Sequence, residues 1–321
     1  MRTPVKLVVV LTLSAIFGSG DRIANLQPKR NLIKIRDVEV DEDVSHSQPK
    51  IDYVNKGARK LQTKRAGVSF QNVTRMITGG TKAGQKMFPW VFFLIVDNAW
   101  LCGGSLISSD WGMTAAHCVD GGYTFSVNVG GIDRSRNNET GEKSYTSTKA
   151  IVHKDYNKTL YTNDIALIAV SFKLSQYVNV IRLPPYSYGN ATLADKDAYV
   201  AGYGLTADGG SPSRYLMYAV LKTMKNIDCV KLFGDKYVIS STICIAPDIA
   251  KSACFGDSGN TLKILEKDGK FTAIGIVSAG PDICVNYLST CTRVTSFLGW
   301  ISQQTGIKIL NDRKIKIKNR K

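Results

Sequence analysis

Cys254-Phe255-Gly256-Asp257-Ser258-Gly259-Asn260 leads into Thr261-Leu262-Lys263-Ile264-Leu265, and Lys267-Asp268-Gly269 then separates that run from the apolar stretch 271–278. Two short apolar runs around an Asp-Gly turn read as a β-hairpin. Further runs of the same kind lie at Val91–Val96, 123–129, 144–152, 165–170 and 198–203, with turn residues between them. Many short strands with almost no helical periodicity indicate an all-β sandwich or barrel. The exception is 294–304, where apolar residues recur at helical spacing and predict a closing helix. No internal repeat is visible.

The turn before the hairpin carries the chemistry. A serine alcohol is a poor nucleophile at neutral pH. It needs a base to take its proton and donors aimed at the charge that develops on the attacked carbonyl. Gly256 lets the backbone turn sharply, so that its N–H and that of Ser258 point to one spot. Asp257 is an unusual buried carboxylate unless a cation waits nearby. Alone, Gly-Asp-Ser-Gly is equally well a tight turn, since turns are made of such residues. Upstream, Thr114-Ala115-Ala116-His117-Cys118 supplies a histidine among small residues, and Thr162-Asn163-Asp164-Ile165-Ala166-Leu167 an aspartate opening a strand-like run. His, then Asp, then Ser is one order in which a triad is threaded. Of the three histidines, His46 lies in a charged stretch and His153 at the polar end of an alternating segment. Both read as solvated, which leaves His117 as the base.

The formal charge of +16 raises a nucleic-acid reading. Residues 77–306 hold 21 basic and 18 acidic side chains, a net of only +3, so the excess sits in the flanks. Basic and aromatic residues are not interleaved along a surface, and nucleic acid is excluded as a partner. The first 20 residues have a basic start (Arg2, Lys6), an apolar run and small residues at Gly18-Ser19-Gly20, which read as a signal peptide. No later stretch is long and apolar enough to span a membrane. Residues 21–76 are polar, mixed in charge and aperiodic, and read as a pro-segment with Lys64-Arg65 and Arg75 as processing sites. Seven cysteines in an exported chain imply disulfides with one thiol left over. Asn-x-Ser/Thr sequons at Asn72, Asn138, Asn157 and Asn190 are glycan acceptors for an exported protein. The basic tail 307–321 reads as a solvated end or as a tether to polyanions.

With Ile77-Thr78-Gly79-Gly80, Phe88-Pro89-Trp90, Cys102-Gly103-Gly104-Ser105-Leu106-Ile107, Gly275-Ile276-Val277-Ser278 and Trp300-Ile301 added, the chain resembles the chymotrypsin/trypsin family of secreted serine endopeptidases over roughly 77–307, about seven-tenths of its length. The resemblance implies two six-stranded antiparallel Greek-key β-barrels with a C-terminal helix, and a protease domain at 77–306 with its cleft between the barrels. It implies His117, Asp164 and Ser258 as the catalytic residues, with Gly256 and Ser258 as the oxyanion hole. Ser278 matches the serine that hydrogen-bonds the aspartate and offers its carbonyl to substrate. The implied disulfides are Cys102–Cys118, Cys229–Cys244 and Cys254–Cys284. Cys291 is then either a buried inert thiol or an intermolecular partner. Activation in the family frees an α-amino group, here that of Ile77, which pairs with Asp257. Arg75-Met76-Ile77 displaces the basic residue by one, so cleavage after Met76 or its trimming is required.

Ser252 stands where trypsin-like members carry an aspartate at the pocket base. Gly280 and Ser289 line the walls. An uncharged base implies cleavage after Phe, Tyr, Leu or Met, with a shallower elastase-like preference as the near alternative, and Asp282 at the mouth as a reason for basic preference. Asn260-Thr261, Ala279 and Cys291 depart from the family pattern. The calcium loop is not recognisable in 129–143, so neither a metal nor another cofactor is expected. Expected partners are a protein or peptide substrate and protein inhibitors, for a monomer. The other function class open to this sequence is a catalytically silent secreted binding protein that keeps the fold.

Overall fold

A computed structural model describes residue 77 and residues 79–135, 139–207, 210–280 and 288–311. The leader, the pro-segment with its processing sites, Asp282, Cys284, Asn138 and most of the basic tail lie outside the described residues. Two antiparallel sheets account for nearly all of the regular structure.

The first sheet contains β2 (Val91–Val96), β3 (Trp100–Leu106), β4 (Trp111–Thr114), β5 (Phe125–Val129), β6 (Lys143–Ser147), β7 (Ala150–Val152) and β8 (Ala166–Ala169) in the order β6-β5-β2-β3-β4-β8-β7. The strand predicted across 144–152 is bent into β6 and β7. One half pairs with β5 and the other with β8, so a single chain segment joins both edges and the sheet rolls into six strands. Ser147 fixes the bend, donating to the Ala169 carbonyl at 2.7 Å while accepting the Lys149 N–H at 3.0 Å. The interior is alternating and apolar, with Phe92, Leu94, Phe125 and Val127 all but fully buried. Gly104 is required at its place because a Cβ there would overlap the Phe92 ring.

The second sheet contains β1 (Thr81–Lys82), β9 (Asp197–Gly202), β10 (Met217–Met224), β11 (Thr242–Ile245), β12 (Thr261–Leu265), β13 (Phe271–Ala279) and β14 (Ser289–Arg293) in the order β1-β10-β11-β14-β13-β12-β9, with β9 also pairing β10. That last pairing closes a six-stranded barrel and leaves the two-residue β1 outside it. β12 is buried on both faces. Leu262 and Ile264 enter the core of this barrel, while Thr261 meets Ser105 of β3, hydroxyl to hydroxyl, at 2.8 Å. This is the chymotrypsin-like fold expected from the sequence.

The closing helix α3 (Leu298–Thr305) follows a 3₁₀ turn at Val294–Phe297 and buries Leu298 and Ile301. Gly306 ends it in the left-handed conformation, φ 72°, and donates to the Ser302 carbonyl at 2.9 Å. His153 is half-buried rather than fully solvated as the sequence suggests. β7 carries it beneath this end of the chain, edge-on to Phe297 and Trp300 at 4.9 and 5.0 Å, and burial lowers its pKa. A helix the sequence does not announce, α2 (Asn226–Phe233), buries only Cys229 and leaves Ile227 and Leu232 in water.

Cys102–Cys118 and Cys229–Cys244 are disulfides, and Cys254 is disulfide-bonded as well. Cys291 is a free thiol buried in the second core, where loss of solvation pushes its pKa up. The first bridge ties the segment beside His117 to β3. Converting Cys102 and Cys118 to serine lowers the unfolding free energy by about 3 kcal/mol, the contribution of a loop of that size. Urea unfolding of the double variant measures it.

Candidate active site

β4 delivers Thr114 and Ala115 into the gap between the barrels, and the single-turn helix α1 (Ala116–Val119) then presents His117. Ala115 and Ala116 are fully buried, so only small residues fit before the histidine. Asp164 enters from the loop ahead of β8 and is itself fully buried. His117 donates its backbone N–H to Asp164 Oδ1 at 2.9 Å, and its Nδ1 lies 2.7 Å from Oδ2. Ser278 donates to the same Oδ2 at 2.6 Å, and the Thr292 hydroxyl donates to the Asp164 carbonyl at 2.8 Å. Burial alone would raise the Asp164 carboxyl. The charge of His117 and the hydrogen bonds from His117 and Ser278 instead hold it below the ordinary carboxylate value.

The backbone leading to Asp164 turns through two left-handed residues, Tyr161 at φ 52° and Asn163 at φ 53°. Asn163 is held across the barrels, its Oδ1 accepting the Ser241 hydroxyl at 2.8 Å and its amide donating to the Asp155 carbonyl at 3.0 Å. Non-glycine residues keep such conformations only where their surroundings over-determine them. The turn also places the Tyr161 ring 5.4 Å from the His117 ring. Sequence reasoning missed this tyrosine, because nothing in its neighbours marks its conformation.

Ser258 comes from the other barrel, half-buried in the turn between Cys254 and β12. Gly256 and Gly259 flank it at φ 87° and 86°. Gly103 of β3 donates its N–H to the Ser258 carbonyl at 2.7 Å. A side chain at Gly259 would strike both the Gly103 carbonyl and the Thr114 hydroxyl, which are themselves hydrogen-bonded at 2.7 Å. The serine turn therefore lies directly on the end of β4, three residues before His117. Asp257 points the opposite way, fully buried, and accepts the Gly204 N–H at 2.9 Å and the Cys254 N–H at 3.0 Å. Ile77 is buried in the second core with Leu193, Val200 and Leu262.

Of the expected pocket residues, Gly280 and Ser289 face each other: a Cβ on Gly280 would come 3.3 Å from Ser289 Oγ. The Thr290 hydroxyl donates to the Ala279 carbonyl at 3.1 Å, holding β14 against the end of β13. Ser252 is buried with its hydroxyl on the Ala253 carbonyl at 2.7 Å, and Ser278 is buried beside Asp164. Cys102, His117 and Cys118 cluster as metal ligands do, but both sulfurs are consumed by the disulfide and no thiolate is left to bind.

A family model described as Trypsin matches residues 77–301. Brachyurin of Leptuca pugilator is 36% identical over 234 residues, covering 72% of this chain and 99% of that protein. Chymotrypsin of Phaedon cochleariae is 30% identical, covering 70% of this chain and 80% of its own. A solved structure described as HL collagenase superposes with a TM-score of 0.65 at 32% identity, over 72% of this chain and 99% of that one. A pair of closed barrels and a serine turn seated against a histidine loop thus coincide with sequence likeness over the whole domain, and the chain is a serine endopeptidase belonging to the chymotrypsin/trypsin family.

Proposed function

We propose that the chain is secreted as a zymogen and, once processed to begin at Ile77, cleaves proteins after apolar residues through Ser258, His117 and Asp164. His117 takes the Ser258 proton during attack on the carbonyl and returns it to the leaving amine. Asp164 stays ionised, holds the imidazole tautomer and stabilises the imidazolium. The N–H groups of Gly256 and Ser258 receive the oxyanion, and losing one such donor costs about 10²–10³ in rate. The reading is carried by the bonded series from Ser278 through Asp164 to His117, with the serine turn packed on the strand that leads to that histidine.

Ile77 and Asp257 supply the activation pair. Ile77 is buried in the barrel whose turn carries the aspartate, and Asp257 is an enclosed carboxylate bonded, among the described residues, to the backbone N–H groups of Gly204 and Cys254. In the pocket, Ser252, Ser278, Gly280 and Ser289 place no charge opposite a substrate side chain, and relatives named chymotrypsin and chymotrypsin-like elastase suit that preference. Protein processed to start at Ile77 is expected to hydrolyse peptides with Phe or Leu before the cut at least about 10²-fold better, in kcat/KM, than the Arg peptide, because burying an unpaired cation costs several kcal/mol. A panel ending in Phe, Leu, Ala or Arg measures this, and preference for Arg would contradict it.

A further inference from the structure

Asn260 is a polar side chain enclosed between the barrels. It is 1% exposed and stands at the end of the serine turn, one residue before β12. A Cβ at Gly103 of β3, or at Gly202 of β9, would overlap its amide, so a glycine in each barrel makes room for it. Its Oδ1 has no hydrogen-bond partner among the described residues. An orphaned buried acceptor destabilises a fold, and leucine has nearly the same shape without one. Packing alone therefore does not account for an amide at this place.

The nitrogen end of the amide acts on the serine turn. Nδ2 donates to the Asp257 carbonyl at 3.2 Å, and the Asn260 backbone N–H donates to the same oxygen at 3.1 Å. Two donors use both lone pairs of that carbonyl. The reverse orientation of the amide would set oxygen against oxygen, so the carbonyl dictates which end faces it. Asn260 is itself fixed to β13, its carbonyl accepting the Val277 N–H at 2.9 Å.

The Asp257 carbonyl and the Ser258 N–H belong to one peptide unit. That unit is trans, so the two groups point in opposite directions. Donors that grip the oxygen from behind fix the direction of the N–H in front, and by polarising the unit they make it a better donor. The Gly256 N–H is backed in the same way, because the carbonyl of its peptide, that of Phe255, accepts the Leu205 N–H at 2.7 Å. Neither the Ser258 nor the Gly256 N–H donates to another group among the described residues.

We propose that Asn260 is a positioning residue for the oxyanion step, its side-chain amide holding and polarising the Asp257–Ser258 peptide so that the Ser258 N–H meets the charge on the reacting carbonyl oxygen. This rests on the oxyanion reading given above and deepens it. In attack, the Ser258 oxygen bonds to the carbonyl carbon, its proton passes to His117, and the carbon–oxygen π pair moves onto the oxygen. Asn260 acts only through the donor that receives that charge, so it favours the transition state over bound substrate. Losing a whole donor costs about 10²–10³ in rate, and losing the support behind one costs less, about tenfold.

The test uses protein starting at Ile77, as wild type, Asn260→Leu and Asn260→Ala. Leucine keeps the shape and deletes the donor and the orphan together, while alanine demands no room. Two matched inhibitors are compared, a short peptide ending in phenylalaninal and its phenylalaninol analogue. The aldehyde adds to Ser258 and forms an oxyanion, whereas the alcohol forms none. Both variants are expected to bind the aldehyde about tenfold more weakly, to bind the alcohol as wild type does, and to lose about tenfold in kcat on a peptide amide with KM unchanged. The pH profile of kcat/KM keeps its shape, because His117 and Asp164 are untouched. A merely structural role would weaken both inhibitors together. Equal weakening of the two, or an aldehyde bound as tightly as by wild type, in either variant would overturn the proposal. A wild type that binds the aldehyde no better than the alcohol would instead remove the oxyanion reading, and the proposal with it.

Discussion

Replacing Ser258 by alanine lowers kcat by on the order of 10⁶ while leaving KM for a peptide substrate nearly unchanged. The reason is local. On the proposed mechanism the Ser258 oxygen forms the bond to the substrate carbonyl, and the variant leaves the barrels, the pocket and the proposed Gly256 and Ser258 N–H donors in place. What survives is the smaller acceleration due to the oxyanion hole and binding. The fold tolerates the change because Ser258 is fixed through its backbone, its carbonyl accepting the Gly103 N–H at 2.7 Å. A melting temperature within a degree or two of wild type, beside the lost turnover, separates a missing nucleophile from a collapsed turn.

Asp164→Asn is expected to reduce kcat by on the order of 10⁴ at neutral pH. An amide can donate to His117 Nδ1 as well as accept from it, so the imidazole is held in the tautomer that cannot take the serine proton. Ser278 and the His117 N–H, both donors to the carboxylate, must then compete for one amide oxygen. The effect on stability has a definite sign. The carboxyl is held below its ordinary value in the fold, so its contribution is present above the unfolded value near 4 and is lost as pH falls through the folded one. The variant is therefore less stable than wild type at pH 7, and the difference closes in acid. Urea unfolding at pH 7 and near pH 3 checks this beside the kinetics.

Legibility differed by element, for physical reasons. Val91–Val96 and Thr261–Leu265 form strands with the bounds expected, because apolar runs between turn signals have few other ways to bury themselves. The bend at Ser147 was not legible, since it depends on a hydroxyl bridging to a carbonyl of β8. α2 escaped because its eight residues carry only a short apolar face, Cys229, Val230 and Phe233, while Ile227 and Leu232 stand in water. The contact of His117 with Asp164 was legible as two motifs in order, but the left-handed backbone at Tyr161 and Asn163 that aims the aspartate was not. Lys263 shows the limit most clearly. Period-two patterning tells two faces apart, but it does not reveal that a second barrel covers both.

The most direct test of the account is mapping a phosphonate adduct by mass spectrometry on protein that begins at Ile77. The account predicts one adduct, on the peptide containing Ser258, absent from His117→Ala. An unlabelled Ser258 in correctly processed protein, or equal labelling without His117, would contradict it.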